Sequence, residues 1–171
     1  MQWWLGHCER MNRFLVPFHM HSSGWLVVAY CYVLGIRLSE WWHGLAVAAL
    51  LVASLLLHEV GHILTATLLG VQVREFGLCI KGAYNRRAPA SRRRDEVLIS
   101  TAGPLMNLIL VFPLMFVPRI GTPLALCNLM LCVFNLLPLP SSDGLRILRT
   151  LSGTKPAGGM IPVLSGPRPA L

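Results

Sequence analysis

Charged residues are scarce in this sequence, and acidic residues are the scarcest of them. Only 13% of the 171 residues are charged, with 7 acidic against 15 basic, whereas 54% are hydrophobic. Soluble domains usually contain about 25% charged and about 45–50% apolar residues. The shortage of charge therefore predicts a surface that faces lipid, and it excludes a water-soluble protein of ordinary composition.

Paired cysteines and nucleic-acid motifs are also lacking. The five cysteines are odd in number and form no Cys-x-x-Cys pair, so neither a disulfide framework nor a cysteine zinc site is expected. The net charge of +8 could indicate a nucleic-acid partner, but the basic residues are not interleaved with aromatic residues and form no recognisable nucleic-acid module. We therefore expect no nucleic-acid partner, and we expect the basic residues to reflect membrane topology.

Three apolar stretches are long enough to cross a bilayer as helices, which takes about 20 residues. They are Leu45–Val73, Val97–Val117 and Ile120–Leu139, and the last two contain no charged residue. A fourth stretch, Trp25–Ile36, is too short alone and spans only if its helix extends back towards Phe14. Otherwise it lies at the interface or re-enters. The sequence thus predicts an all-α polytopic membrane protein with about four transmembrane helices.

The basic residues predict the orientation of these helices. With four spans, only Arg37 and Arg119 fall on one side of the membrane, and the other 13 of the 15 fall on the opposite side. Because cytoplasmic loops are enriched in Lys and Arg, both termini and the central loop are expected in the cytoplasm. A bacterial inner membrane is the expected location of this multi-pass protein.

The central loop is expected to carry a short β segment at the cytoplasmic face. Partial alternation over Val71–Ile80 predicts one or two short strands, with Gly77 as a bend. The basic run Asn85–Arg94 is predicted to be a solvated loop against anionic headgroups. Residues 1–151 form the predicted membrane-embedded domain, and residues 152–171, rich in Pro and Gly, form a tail predicted to be disordered.

The sequence His58-Glu59-Val60-Gly61-His62 interrupts the first long apolar stretch with three ionisable side chains. On a helix, residues four apart lie about 40° from each other around the axis, so both imidazoles can face one Zn²⁺. Glu59 then lies beside the open coordination position as a base. The alternative is two histidines that bond between helices and a glutamate paired with an arginine. It fits less well, because no basic residue lies in a neighbouring span.

A hydrolytic zinc site needs a third protein ligand, and Asp143 is the best candidate. It follows Pro138 and Pro140, which prevent a regular helix. Broken backbone at membrane depth must be buried against protein or line a cavity, which suits a metal ligand. Asp143 is equally expected to cap a helix over Gly144–Leu151. Three other acidic residues lie in polar loop sequence and fit less well: Glu75, Asp95 and Glu96.

A third pattern, Gly103-Pro104-Leu105-Met106-Asn107, lies within the span Val97–Val117. Glycine lets another helix approach closely, and an uncharged polar Asn107 inside a membrane must find a partner. Helix packing with a kink explains the pattern as well as a direct role does.

Together the three motifs resemble those of the site-2 proteases. The intramembrane His-Glu-x-x-His, the Gly-Pro-x-x-Asn and the later Asn-x-x-Pro…Asp-Gly match that family in order and spacing, over roughly Trp41 to Leu151. The resemblance implies these roles: one zinc ion per chain held by His58, His62 and Asp143, Glu59 as the catalytic carboxylate, and Asn107 and Asn135 near the substrate backbone or the oxyanion. Ser141-Ser142 depart from the family, in which a proline–leucine pair is frequent before the aspartate.

The resemblance also implies the function. The chain is expected to be an intramembrane zinc endopeptidase that cuts transmembrane segments of other membrane proteins within the lipid bilayer. Its strands are expected to pair with an unwound substrate. Two alternatives stay open: an inactive protease-like membrane protein that binds or chaperones partners, and a metal transporter, which predicts more polar residues along several spans.

Overall fold

The computed structural model describes residues 16–38, 41–80 and 82–153. Within them the chain forms five α-helices and one three-stranded sheet, so the prediction of a mainly helical fold with a short β segment is confirmed. In chain order the elements are β1 (Phe18–Met20), α1 (Gly24–Leu38), α2 (Trp41–Leu68), β2 (Val73–Cys79), β3 (Gly82–Arg87), α3 (Arg93–Leu114), α4 (Gly121–Leu136) and α5 (Asp143–Leu151). Most of the predicted tail, residues 154–171, lies outside the described residues.

Two helices are long and apolar enough to cross a membrane. They are Gly44–Leu68 within α2 and Arg93–Leu114, which have 25 and 22 residues, and the most apolar 18-residue stretch of each has a mean hydropathy of 1.9. The apolar helices α1 and α4 have 15 and 16 residues, short of the usual length. Within the described part of the chain, the predicted number of four spanning helices is therefore not confirmed. α4 ends at Leu136, two residues before Pro138.

One of the predictions for the first apolar helix, that it extends back towards Phe14, is wrong, because α1 begins at Gly24. Phe18–Met20 is instead strand β1, which pairs in parallel with β2 through Phe18 opposite Phe76. Gly77 is not a bend, because β2 runs through it without a break. A Cβ on Gly77 would collide with the carbonyl oxygen of His19, so glycine is needed there for the two strands to approach.

The predicted solvated loop Asn85–Arg94 is wrong at both ends. Its first three residues belong to β3, which pairs antiparallel with β2, and its last two begin α3. Arg87 explains the difference, since its guanidinium donates to both carboxylate oxygens of Glu96 at 2.9 and 2.6 Å. This partly buried, bidentate ion pair ties the end of β3 to the first turn of α3.

Helix α3 is apolar on its outer face and polar on its inner face. Along α3 the outer face exposes Leu105, Ile109 and Phe112, and Phe112 is 71% exposed. The opposite face buries Ser100 and Asn107 completely. A helix of a soluble protein usually has the reverse arrangement, whereas apolar outer and polar inner faces are typical of helices that face lipid.

Helix α2 lies at the centre of the fold, in contact with α1 on one side and α3 on the other. Its N-terminal half packs with α1 and α4 into an apolar core. The buried members of this core are Cys31, Val47, Ala48, Leu51 and Leu124. Closer to its C-terminus, the inner face of α2 carries polar side chains instead. Helix α3 also contacts α5, so α2, α3 and α5 meet around this polar region.

Candidate active site

The structure brings the three predicted metal ligands together. His58 and His62 lie one turn apart on α2, and Asp143 is the first residue of α5. The Oδ2 atom of Asp143 lies 3.2 Å from each Nε2 atom, and the two Nε2 atoms are 3.2 Å apart. With zinc–ligand bonds of about 2.0–2.1 Å, two ligands of a tetrahedral site are roughly 3.3 Å apart. The triangle therefore has the dimensions that a tetrahedral zinc site needs.

The hydrogen bonds of the two imidazoles show which nitrogens face the centre of this triangle. Nδ1 of His58 donates to Oδ1 of Asn107 at 2.7 Å, and Nδ1 of His62 donates to the carbonyl of Ile99 at 2.6 Å. Each Nδ1 therefore carries the proton, and each Nε2 offers a lone pair. Two lone pairs and a carboxylate oxygen converge at hydrogen-bond distance without a donor among them. A cation at the centre satisfies all three, and two nitrogens with one oxygen suit zinc.

Asp143 reaches the site because the neighbouring residue Ser142 stabilises the bend that precedes it. Ser142, not Asp143 as predicted, caps α5: its Oγ accepts from the backbone N–H of Leu145 at 3.1 Å. The Asp143 side chain is therefore free to turn towards the histidines. Ser141 has a φ of 69°, in the left-handed region, so this serine pair forms the bend.

The charge state of Asp143 suits a metal ligand. Arg146, one turn along α5, lies 3.9 Å from the other carboxylate oxygen. This positive charge favours the ionised form of Asp143, which is the form that binds a metal ion.

Removing a side chain that only hydrogen-bonds to a metal ligand usually weakens metal binding roughly 10- to 100-fold. We expect Asp143→Ala to weaken zinc binding by more than this. The substitution removes the third ligand and leaves only the two imidazoles. Zinc affinity is measured by competition with a chelator, with Asp95→Asn as the control because Asp95 lies in the first turn of α3. Unchanged affinity in Asp143→Ala would show that Asp143 is not a ligand.

Glu59 lies beside the two histidines and is buried. One of its carboxylate oxygens and one ligand nitrogen of each histidine all lie within 4.8 Å of one another. Nδ2 of Asn85 donates to Oε2 of Glu59, so strand β3 contacts the carboxylate directly. Asn85 and Arg87 lie two apart on β3, and the Arg87–Glu96 ion pair anchors the strand that carries this contact.

The asparagines are placed differently from one another. Asn107 is fully buried and its amide is bonded to His58 and to Asn128, so it contacts a ligand. Asn135 donates to the carbonyl of Leu131 in its own helix, and within the described residues this is the one hydrogen bond of its side chain. The predicted roles of both in holding substrate stay predictions.

Two residues of this region were not predicted from the sequence. Asn128 is a polar residue inside an apolar stretch, and the rule applied to Asn107 would have identified it. Asn85 carries no such signal, because it lies in a polar loop sequence among many other polar residues.

Gly103 also contacts the ligands. A Cβ at this position would lie 2.8 Å from Nε2 of His58 and would collide with Nε2 of His62. The glycine thus permits close helix packing, as predicted, and the groups that lie against it are the two imidazoles. α3 reaches the ligands at this position because no side chain separates them.

Comparison with known proteins agrees with this geometry. Residues 46–121 match the model of peptidase family M50. A zinc metalloprotease of Methanocaldococcus jannaschii is 32% identical over 155 residues, which cover 82% of this chain and 44% of that protein. A relative from Synechocystis sp. is 32% identical over 124 residues, which cover 66% of this chain and 33% of that protein. The chain thus spans less than half the length of these curated relatives.

The fold has a counterpart among solved structures. It is similar to that of the site-2 protease from Methanocaldococcus jannaschii, with 30% sequence identity and a TM-score of 0.66. The match covers 83% of this chain and 69% of that one. The chain belongs to the site-2 protease family, peptidase family M50.

Proposed function

We propose that the protein is an intramembrane zinc endopeptidase that hydrolyses peptide bonds in transmembrane segments of other membrane proteins. One observation carries the proposal: three metal-ligand atoms and a carboxylate converge on the inner face of helices whose outer faces are apolar. Ionisable groups inside a membrane are costly, so they persist where they bind something. Family membership supports the same activity.

His58, His62 and Asp143 would hold one zinc ion, which would supply Lewis-acid chemistry for activating water and polarising a carbonyl. Glu59 takes a proton from the attacking water and delivers it to the leaving amine. Asn85 holds one oxygen of Glu59, which leaves the other oxygen to accept that proton. The Nδ1 hydrogen bonds of both histidines keep their Nε2 lone pairs directed into the triangle of ligand atoms.

The substrate helix must unwind before cleavage, because an intact helix keeps its carbonyls in hydrogen bonds. Strand β3 lies at the edge of the three-stranded sheet and carries Asn85 against Glu59. An unwound substrate segment added to this edge would therefore run beside the catalytic carboxylate. Substrates with helix-weakening residues near the cytoplasmic side are expected to be preferred.

The proposed topology has four spans, α1 to α4, and its orientation rests on the distribution of basic residues. Both termini and the β segment lie in the cytoplasm, and a bacterial inner membrane is the proposed location. The domain over residues 1–151 carries the activity.

The alternatives have less support. A protein without activity has no need for a complete ligand set beside a carboxylate. A metal transporter needs a polar path through the helices, whereas Ser54, Asn107 and Asn128 are bonded to one another and fully or nearly fully buried.

The proposal is tested on protein purified in detergent, by metal analysis and by cleavage of a model transmembrane peptide. We expect one zinc per chain, loss of cleavage when a chelator removes it, and recovery when zinc is returned. Mg²⁺ serves as the control, because it prefers oxygen ligands and an octahedral site. Cleavage that persists without zinc, or zinc-loaded protein without cleavage, would contradict the proposal.

A further inference from the structure

A chain of buried polar side chains leads away from the ligands through three helices. Nδ1 of His58 meets Asn107 on α3 at 2.7 Å, and Nδ2 of Asn107 donates to Oδ1 of Asn128 on α4 at 3.1 Å. Nδ2 of Asn128 donates to Oγ of Ser54 at 3.0 Å, which returns the chain to α2. Asn107 and Asn128 are 0% exposed, so water cannot replace any of these partners.

The direction of every bond in this chain is set by two backbone carbonyls. Ser54 donates to the carbonyl of Leu50 at 2.8 Å, so its oxygen accepts from Asn128. The same Asn128 nitrogen donates to the carbonyl of Leu124 at 3.0 Å. Carbonyls only accept, which fixes the amide group of Asn128 with its nitrogen on this side and its oxygen towards Asn107.

The orientation of Asn107 then follows, and with it the tautomer of His58. Facing the Asn128 oxygen, Asn107 must present its own nitrogen, so its oxygen faces His58 and accepts from Nδ1. If the Asn107 amide turned over, its nitrogen would face Nδ1. Nδ1 would then have to accept, and the ring proton would move to Nε2, where the metal binds.

We infer that Asn128 is a positioning residue that, through Asn107, holds His58 in the tautomer whose Nε2 binds zinc. The inference rests on the zinc site of the proposed function. Within the described residues Asn128 forms its hydrogen bonds with Asn107, Ser54 and Leu124, and none with the ligands or the catalytic glutamate. It acts by keeping the Asn107 amide from turning over, because the oxygen of a turned amide would face the Asn128 oxygen, which leaves two buried acceptors without a donor between them.

The test is a double-mutant cycle read as zinc affinity, by chelator competition on purified protein. Asn128→Leu removes both the donor and the acceptor at similar side-chain size. We expect it to weaken zinc binding roughly 10- to 100-fold, as for other outer partners of metal ligands. In an Asn107→Asp background the side chain presents an oxygen to Nδ1 of His58 whichever way it is turned. Asn128→Leu should therefore not weaken zinc binding there, and it also removes the Asn128 oxygen that would face an aspartate oxygen without a donor.

Two further variants separate positioning from a general packing effect. Asn128→Asp, whose carboxyl group keeps an oxygen facing Asn107 and in its neutral form donates to Leu124, should restore most of the affinity. Ser54→Ala should change it little, because Asn128 keeps its bond to the Leu124 carbonyl. The same loss from Asn128→Leu in both backgrounds, or no loss in either, would overturn the inference.

Folding is checked by size-exclusion elution for each variant, and Asn128→Ala replaces Asn128→Leu in the cycle if the leucine variant does not fold. The readout is zinc binding and not cleavage. Wild-type protein that binds zinc but cuts no peptide would contradict the proposed protease activity, yet the cycle would still decide the role of Asn128.

Discussion

Glu59→Gln should abolish peptide cleavage while zinc binding persists. The amide has the shape of the carboxylate but cannot accept a proton from water. General acid–base catalysis by a positioned side chain contributes roughly 10²- to 10⁴-fold, so a loss of that order is expected. Zinc is retained because the ligand triangle consists of His58, His62 and Asp143. Asn85 can still donate to the remaining amide oxygen, so strand β3 stays in place.

Cleavage of the model transmembrane peptide and zinc content are measured on the same preparation of Glu59→Gln. Glu75→Gln is the matched control: it makes the same chemical change on β2, where the carboxylate is bonded to Arg86 at 3.1 Å. The control should cleave as the wild type does. Undiminished cleavage by Glu59→Gln would refute the role of Glu59, and loss of zinc from it would make Glu59 a ligand.

Local spacing explains why part of the site could be predicted. Two histidines four residues apart on a helix must share a face, so their proximity needs no knowledge of the rest of the fold. Asp143 is distant in the chain, and its proximity was predicted from the proline-interrupted backbone at membrane depth. The cap was assigned to the wrong residue because Ser142 and Asp143 are both good N-caps, and only the bend geometry distinguishes them.

Contacts between distant segments explain what could not be predicted. The parallel pairing of β1 with β2 requires Phe18 to meet Phe76, and nothing in the short segment around Phe18 indicates a partner. The same holds for Asn85, whose contact with Glu59 depends on how the sheet lies against α2. The Arg87–Glu96 ion pair gave no signal in a run of basic residues.

Gly103→Ala should abolish or severely weaken zinc binding, although the substitution is favourable for a helix by itself. In a helix interior alanine is better than glycine by about 1 kcal/mol. The added methyl group would nevertheless collide with Nε2 of His62 and lie 2.8 Å from Nε2 of His58. Relief requires the imidazoles to turn away or α3 to withdraw, and either movement breaks the ligand triangle. We expect a loss of zinc affinity of at least roughly 10- to 100-fold.

Gly35→Ala distinguishes this collision from ordinary damage to helix packing. Gly35 lies in α1, and a Cβ there would collide with the carbonyl oxygen of Gly44 in α2, on the apolar side of the fold. Overpacking of this kind typically costs about 1–3 kcal/mol of stability, so Gly35→Ala should lower the thermal unfolding temperature but keep its zinc affinity. Gly103→Ala should lose zinc at temperatures where both variants are folded. Equal zinc affinity in the two variants would mean that the ligands can retreat from α3 without penalty, and Gly103 would then serve helix packing alone.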